Sequence, residues 1–381
     1  MIFISIIISF VIYIIEYIIN DDNYYKKREL KEVREFVDIV LNNTLINPNE
    51  VFYKSEKPKI SIVIAVYNGE GYIKTALLSV QNQDFKDVEI TMVDDCSKDD
   101  SVNLIKKLME KDPRIILIQN KENKGTLYTK TKGVLNAKGE YVMTLDVDDL
   151  YAKRNAFSIL YKKAKQYNLD ILWFSAINGG LPIDDNKNIL GFQQTQILFQ
   201  PKINEESVYH DSEGKAKVNT VLLWLYIYKT SLFKKIIKEI DDKFLNRKMI
   251  IADDNLLNYL LTKYAYNFMK IKPIFYFQYQ HPELNEKKLF REIVKNINRE
   301  NLRCSSQINF LEFLFVKTAN TVYEKQYASV LLEDFFKSPC QYNKLFREDI
   351  IYICNKFLEN KYIENKIKDK IRVYLNSLNE H

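Results

Sequence analysis

Four residues, Asp146-Val147-Asp148-Asp149, end a short apolar run at 141–145. Three carboxylates in four residues do not suit a packed core, because unpaired buried charge is costly. At the C-terminal tip of a parallel strand they can hold a divalent cation, and the cation can hold a diphosphate. Asp94-Asp95 likewise ends the apolar run 89–93, and Asp253-Asp254 follows Ile250-Ile251-Ala252.

The segments around these acids alternate between strand and helix. Ile60–Val66 (ISIVIAV) is a continuous β-branched run, as expected of a strand buried on both faces. A helix over 71–83, a strand over 89–93, a helix over 98–111 and a strand at 115–119 follow. A further helix to about 137 leads into the strand that carries Asp146. The pattern continues with a helix at 153–167 and a strand at 170–175. Such alternation predicts a parallel sheet with right-handed crossovers. The loops bearing the acids all leave the C-terminal ends of the strands, where open sheets bind ligands.

Beyond residue 177 the reading is coarser. Residues 178–220 read as irregular and polar, and 221–228 as an apolar aromatic strand. A helix is expected at 231–240, another from about 255 to 266, and a strand near 274–279 before His281-Pro282. From 283 to 381 the pattern is helical.

The chain has 381 residues, 46% hydrophobic and 28% charged, enough for one large domain with additions or for two. With 9 Gly and 8 Pro it is not a low-complexity chain. A net charge of +6 without interleaved basic and aromatic residues does not describe a nucleic-acid groove. The four cysteines have no CxxC spacing and imply neither a zinc site nor a disulfide framework. The first nineteen residues are apolar except for Ser5, Ser9 and Glu16. As a helix they would span roughly 28 Å, close to a bilayer core. We expect a membrane anchor at 1–20 and a helical stem at 21–57, where Leu30, Val33, Val37, Val40 and Leu41 recur at helical spacing. Lys26, Lys27, Arg28 and Lys31 after the apolar run favour a cytosolic C-terminal part. An endomembrane location such as ER or Golgi would apply in a eukaryote, and the side of the membrane stays open.

The order of motifs resembles family 2 glycosyltransferases, inverting enzymes with the GT-A fold. The matching residues are Ile60 to Asn68, Ser79-Val80-Gln81-Asn82-Gln83, Val93-Asp94-Asp95-Cys96-Ser97-Lys98-Asp99, Asn123-Lys124-Gly125, Ala137-Lys138-Gly139-Glu140-Tyr141 and Asp146-Val147-Asp148-Asp149. The resemblance implies an α/β, Rossmann-like GT-A domain at 58–282 with a mostly parallel sheet flanked by helices. Within it, 58–175 would bind the nucleotide sugar and 176–282 would form the acceptor half, with a helical C-terminal extension at 283–381. Ala65, Cys96, Lys130-Thr131 and Asp253 depart from the residues common at those positions, which are Pro, Gly, Arg-Asn and Glu.

By that resemblance Asp95 accepts from the nucleobase, with Tyr67 and Asn68 beside the base. Asp146 meets the ribose and Asp148 binds Mn²⁺ or Mg²⁺, with Asp149 able to share either task. Lys130 would add a cation near the diphosphate, unless it is a plain exposed helix lysine. Asp254, supported by Asp253, is the candidate base that takes the acceptor hydroxyl's proton. His281 is a candidate metal ligand, since neutral imidazole suits Mn²⁺. The partners implied are a UDP-sugar donor, a glycan, lipid or protein acceptor, and the membrane through the N-terminal helix. Two other functions remain open: a sugar-nucleotide nucleotidyltransferase, and a non-catalytic carbohydrate-binding or scaffold protein on a transferase fold. Trp173 and Trp224 read as core residues rather than sugar-stacking ones.

Overall fold

The β-branched run Ile60–Val66 forms strand β1, buried along nearly its whole length. In the computed structural model the described residues are 22–180, 193–198, 208–210, 222–240, 245, 257, 258, 260, 261, 264–280, 351, 354, 355, 358, 359 and 365–379. β1 pairs in parallel with β2 (Val88–Asp94) on one side and with β4 (Tyr141–Asp146) on the other. β2 pairs in parallel with β3 (Ile115–Gln119). The register sets Val66 opposite Asp94 and Ala65 opposite Asp146, so the acidic tips of β2 and β4 flank the end of β1. Helices α2 (Ile73–Gln81), α3 (Ser101–Met109) and α4 (Thr126–Asn136) connect these strands, as their apolar spacing predicts.

Past β4 the sheet becomes mixed. A two-residue strand β5 (Leu150–Tyr151) precedes helix α5 (Ala156–Gln166) and strand β6 (Ile171–Gly180). The strand order is β3-β2-β1-β4-β9-β6-β10-β5, with β9 (Tyr226–Lys229) antiparallel to β4 and β6, and β10 (Asn267–Gln280) parallel to β6. Most of the paired positions described are parallel, as expected.

Other expectations need correction. The stretch 178–220 is not irregular throughout. β6 runs on to Gly180, β7 (Gln193–Leu198) pairs with β6, and β8 (Val208–His210) pairs with β10. The polar sequence QQTQIL carries no apolar alternation, so only its hydrogen-bonded neighbour reveals it as a strand. The segment 221–228 is not one strand. A short 3₁₀ turn at Leu223–Leu225 precedes β9, which leads into helix α6 (Thr230–Ile237).

The expected stem helix forms as α1 (Asp22–Leu41) and packs onto the domain. Val33, Val37 and Leu41 join Leu150, Ala152, Ile177, Ile274 and Phe277 in one apolar cluster, while Phe36 and Val40 meet Leu78 of α2. Trp173 and Trp224 are buried, as core residues should be. Near the C-terminus a helix spans Asn365–Asn379 (α7), in line with the helical reading of that tail. Among the described residues no helix is long and apolar enough to cross a membrane. The expected anchor at 1–20 lies outside them.

The layer of helices lies close on the sheet. A Cβ on Gly133 of α4 would come to 2.4 Å from Val63 Cγ1 and 3.1 Å from Val93 Cγ2. Gly133→Ala should therefore overpack α4 against β1 and β2 and lower stability by about 1–3 kcal/mol. Urea unfolding should show a lower midpoint at an unchanged slope. An unshifted midpoint would mean that α4 does not need this close approach.

Candidate active site

Three loops meet where β1, β2 and β4 end. The β1–α2 loop starts with Tyr67, half exposed, and Asn68 in the left-handed region at φ 51°. It is laced to the β2–α3 loop. The Asn68 amide donates to Ser97 Oγ at 2.9 Å, and Asn68 Oδ1 accepts from the Lys98 amide at 2.8 Å. The Gly69 amide donates to Ser101 Oγ and the Glu70 amide to Asp99 Oδ2. Burial works against Asp99 ionising, but hydrogen bonds from Ser101 and the Glu70 amide prevail and lower its carboxyl below the ordinary range. The position of Cys96 explains why glycine is common there: its φ is 64°, a conformation in which a side chain is strained.

Asp94 and Asp95 divide their work. The buried Asp94 carboxylate accepts the Ser97 amide across its own turn. Asp95, also buried, reaches the next loop. Its Oδ1 accepts from Asn120 Nδ2 and the Lys124 amide, and its Oδ2 from the Gly125 amide, all at 2.8 Å. Asp95 thus holds the Asn123-Lys124-Gly125 loop and the start of α4. A carboxylate offers about four lone-pair sites, so three such bonds leave room for one further donor at Oδ2. Asn120, which sequence reasoning did not single out, supports Asp95 and accepts from Lys132 Nζ at 2.7 Å. Its only signal in the sequence is a polar residue placed directly after an apolar strand.

The third loop carries the acidic cluster. Val147 packs close over Gly69, so this loop touches the first. Asp146 and Asp148 are partly exposed, and Asp149 is buried. Lys130 of α4 is buried too, and its Nζ lies 3.4 Å from Asp146 Oδ1. The reading of Lys130 as a plain exposed lysine therefore falls. Asp149 Oδ2 accepts from the Tyr276 hydroxyl at 2.8 Å and Oδ1 from the Tyr279 amide at 2.9 Å. Burial, then repulsion from Asp148 and Asp146, pushes the Asp149 carboxyl well above the usual carboxylate range. Tyr276 and Tyr279 were not foreseen, because nothing in a buried aromatic strand marks a tyrosine as a partner of an acid over a hundred residues away.

Tyr67, Asn68, Asp95, Lys130, Asp146 and Asp148 thus share one edge of the sheet. Asp253, Asp254 and His281 lie outside the described residues.

A β1–β4 parallel unit with its acids at the C-terminal edge, extended by a mixed second half, defines a GT-A-like α/β fold. The chain overlays on Staphylococcus aureus TarS 1–349 in complex with UDP with a TM-score of 0.58, at 16% identity, covering 84% of this chain and 87% of that one. Residues 61–229 match the model of glycosyl transferase family 2. The glycosyltransferase GlyA of Streptococcus pneumoniae is 28% identical over 221 residues, which is 56% of this chain and 31% of that protein. The GalNAc(5)-diNAcBac-PP-undecaprenol beta-1,3-glucosyltransferase of Campylobacter jejuni is 38% identical over 110 residues, 29% of this chain and 35% of that protein. Alignments with these curated relatives span about a third of their length (31% and 35%).

Asp95→Ala should free the loop it holds. Loss of charge-assisted bonds, each worth about 1.5–3 kcal/mol, should speed hydrogen exchange at the Lys124 and Gly125 amides by about tenfold or more. Unchanged exchange there would mean that the loop holds itself.

Proposed function

We propose that this chain is an inverting glycosyltransferase that moves a hexosyl or N-acetylhexosaminyl group from a UDP-sugar to an acceptor hydroxyl. The observation that carries this reading is the Lys130–Asp146 pair at the sheet edge, beside the loop organised by Asp95. Tyr67 offers an exposed ring for the base, and the open site at Asp95 Oδ2 suits the imide N–H of uracil. Asp146 would meet the ribose, and Lys130, 3.4 Å from it, would add positive charge for the diphosphate. The UDP complex of TarS, on the same fold, supports UDP as the nucleotide.

The donor atoms suit Mn²⁺ or Mg²⁺, which take hard carboxylate oxygens. Repulsion among Asp146, Asp148 and Asp149 gives the loop a negative potential that a cation would relieve. Among the described residues no group of three or more His, Cys, Asp or Glu forms a ready cage. That suits an ion held by one or two carboxylates and completed by substrate oxygens. Asp148 would hold it, with His281 as a further ligand. When bound, the ion would stabilise the charge that gathers on the departing diphosphate. Asp254, with Asp253 beside it, would take the proton of the attacking hydroxyl from the face opposite the leaving group.

A lipid-linked glycan acceptor is favoured by the Campylobacter relative, whose name specifies one. The proposed anchor at 1–20 agrees with that choice. It would lead directly into α1, which is packed on the domain, and would hold the functional edge near a bilayer.

Purified full-length protein should release UDP from UDP-GlcNAc or another UDP-hexose only with Mn²⁺ or Mg²⁺, and EDTA should stop the release. Asp254→Asn should lower kcat by about 10²–10⁴-fold while UDP affinity, read by calorimetry, stays within about threefold. Near-normal turnover in that variant would remove Asp254 as the base. No release from any nucleotide sugar would favour a binding or scaffold role. Product from a nucleoside triphosphate and a sugar phosphate would favour a nucleotidyltransferase.

A further inference from the structure

Asp149 is chemically the same as Asp146 and Asp148, but it is placed differently. Both of its oxygens are engaged inside the protein, by the Tyr276 hydroxyl and the Tyr279 amide. Its own amide donates to the Asp146 carbonyl at 3.0 Å, closing a tight turn around Val147-Asp148. The Tyr276 hydroxyl has a second role. While donating to Asp149 it accepts from the Asp146 amide at 3.3 Å. One hydroxyl therefore bridges the first and last acids of the cluster.

Tyr276 is itself held firmly. It is fully buried, its ring stacks on Trp224 with centroids 4.3 Å apart and planes 15° apart, and it meets Tyr151 edge-on at 6.0 Å. β10 is also paired with β5 directly after the acidic loop, Tyr276 opposite Tyr151 and Phe277 opposite Leu150. The loop is thus fixed at Asp146, at Asp149 and along β5, all against β10. Asp148, between the two fixed points, remains partly exposed at the edge.

We propose that Asp149 and Tyr276 are positioning residues that lock the acidic loop, and that Asp149 is not a cation ligand. The lock sets Asp146 and Asp148 in place before any ligand arrives. The cation part of this inference rests on the function proposed above, and it revises the expectation that Asp149 shares in binding the metal. Asn at 149 can still accept from the Tyr279 amide but has no second oxygen for the Tyr276 hydroxyl proton, so it weakens the lock and removes the charge without removing a ligand to the ion. Phe at 276 keeps the stacked ring and removes the hydroxyl.

Mn²⁺ binding to the full-length protein with UDP present, read by electron paramagnetic resonance of free Mn²⁺, separates the roles. Asp148→Asn should weaken binding by about thirtyfold or more, as expected on removing a charged ligand. Asp149→Asn should weaken binding by no more than Tyr276→Phe does, about tenfold, as for a lost outer partner rather than a lost ligand. Tyr276→Phe should weaken binding by about tenfold through loss of preorganisation and should lower kcat more than it raises KM for the donor. A loss in Asp149→Asn as large as in Asp148→Asn would overturn the proposal. If Asp148→Asn binds Mn²⁺ normally, the metal reading is what fails, and a metal-free measurement then decides the lock. Tyr276→Phe should speed exchange of the Asp146 amide by about tenfold with no ion or nucleotide present, as expected for a lost hydrogen bond. Unchanged exchange at that amide would overturn the lock whatever the metal does.

Discussion

A carboxylate taken fully out of water is the constraint on which the functional edge depends. Asp149 has no solvent to stabilise its charge, and two like charges stand one and three residues away. Desolvation of an ion is expensive unless hydrogen bonds replace the lost water. Here a tyrosine hydroxyl and a backbone amide, both from β10, replace only part of that water, and the carboxyl stays well above its ordinary range. Because those donors sit on a paired strand, the energy of the arrangement depends on β10 keeping its register. The acidic loop and the second half of the sheet are thereby made to depend on each other.

The same solution recurs around the domain. Asp95 binds two successive amides of the next loop. Glu89, at the opposite end of β2, accepts from the Ser61 hydroxyl and from the amides of Lys138 and Gly139, fixing the turn into β4. Asp112 accepts from the Arg114 amide, pairs with the buried Arg114 side chain and accepts from Gln81, fixing the turn into β3. In each case a buried acid replaces solvent for a loop's unpaired amides, which otherwise have no ladder to join. Bonds to a charged acceptor are stronger than neutral ones. Loops held this way are stiff, and stiff loops can keep like charges close together at a ligand site.

This division decides what was legible in the sequence. β1 to β4 and their helices could be read because β-branched runs and apolar spacing are local signals. The acids at their tips could be read because charge directly after an apolar run is unusual. Partnership was not legible. Asp149 is indistinguishable from Asp148 by type and spacing, and only a tyrosine 127 residues away separates them. Lys130 gave no sign of its burial, since its role depends on how α4 lies over β1 and β2. β7 and β8 were missed because strands at the border of a sheet are defined by the backbone they pair with, not by their own pattern.

The stem helix shows how far such coupling reaches. β10 shifts register between Lys270 and Ile274, around a proline that has no amide to donate. The Ile274 amide, thrown out of the ladder, donates instead to Glu29 Oε1 of α1 at 2.8 Å. The same oxygen accepts from Lys153 Nζ at 2.7 Å, and that lysine is almost buried. An irregularity that would otherwise leave an amide and an ammonium group poorly satisfied thus becomes the docking point of α1. Two residues beyond Ile274 on the same strand stands Tyr276, which holds the acidic loop. A spacer would need no such contact, so α1 is better understood as a brace on β10.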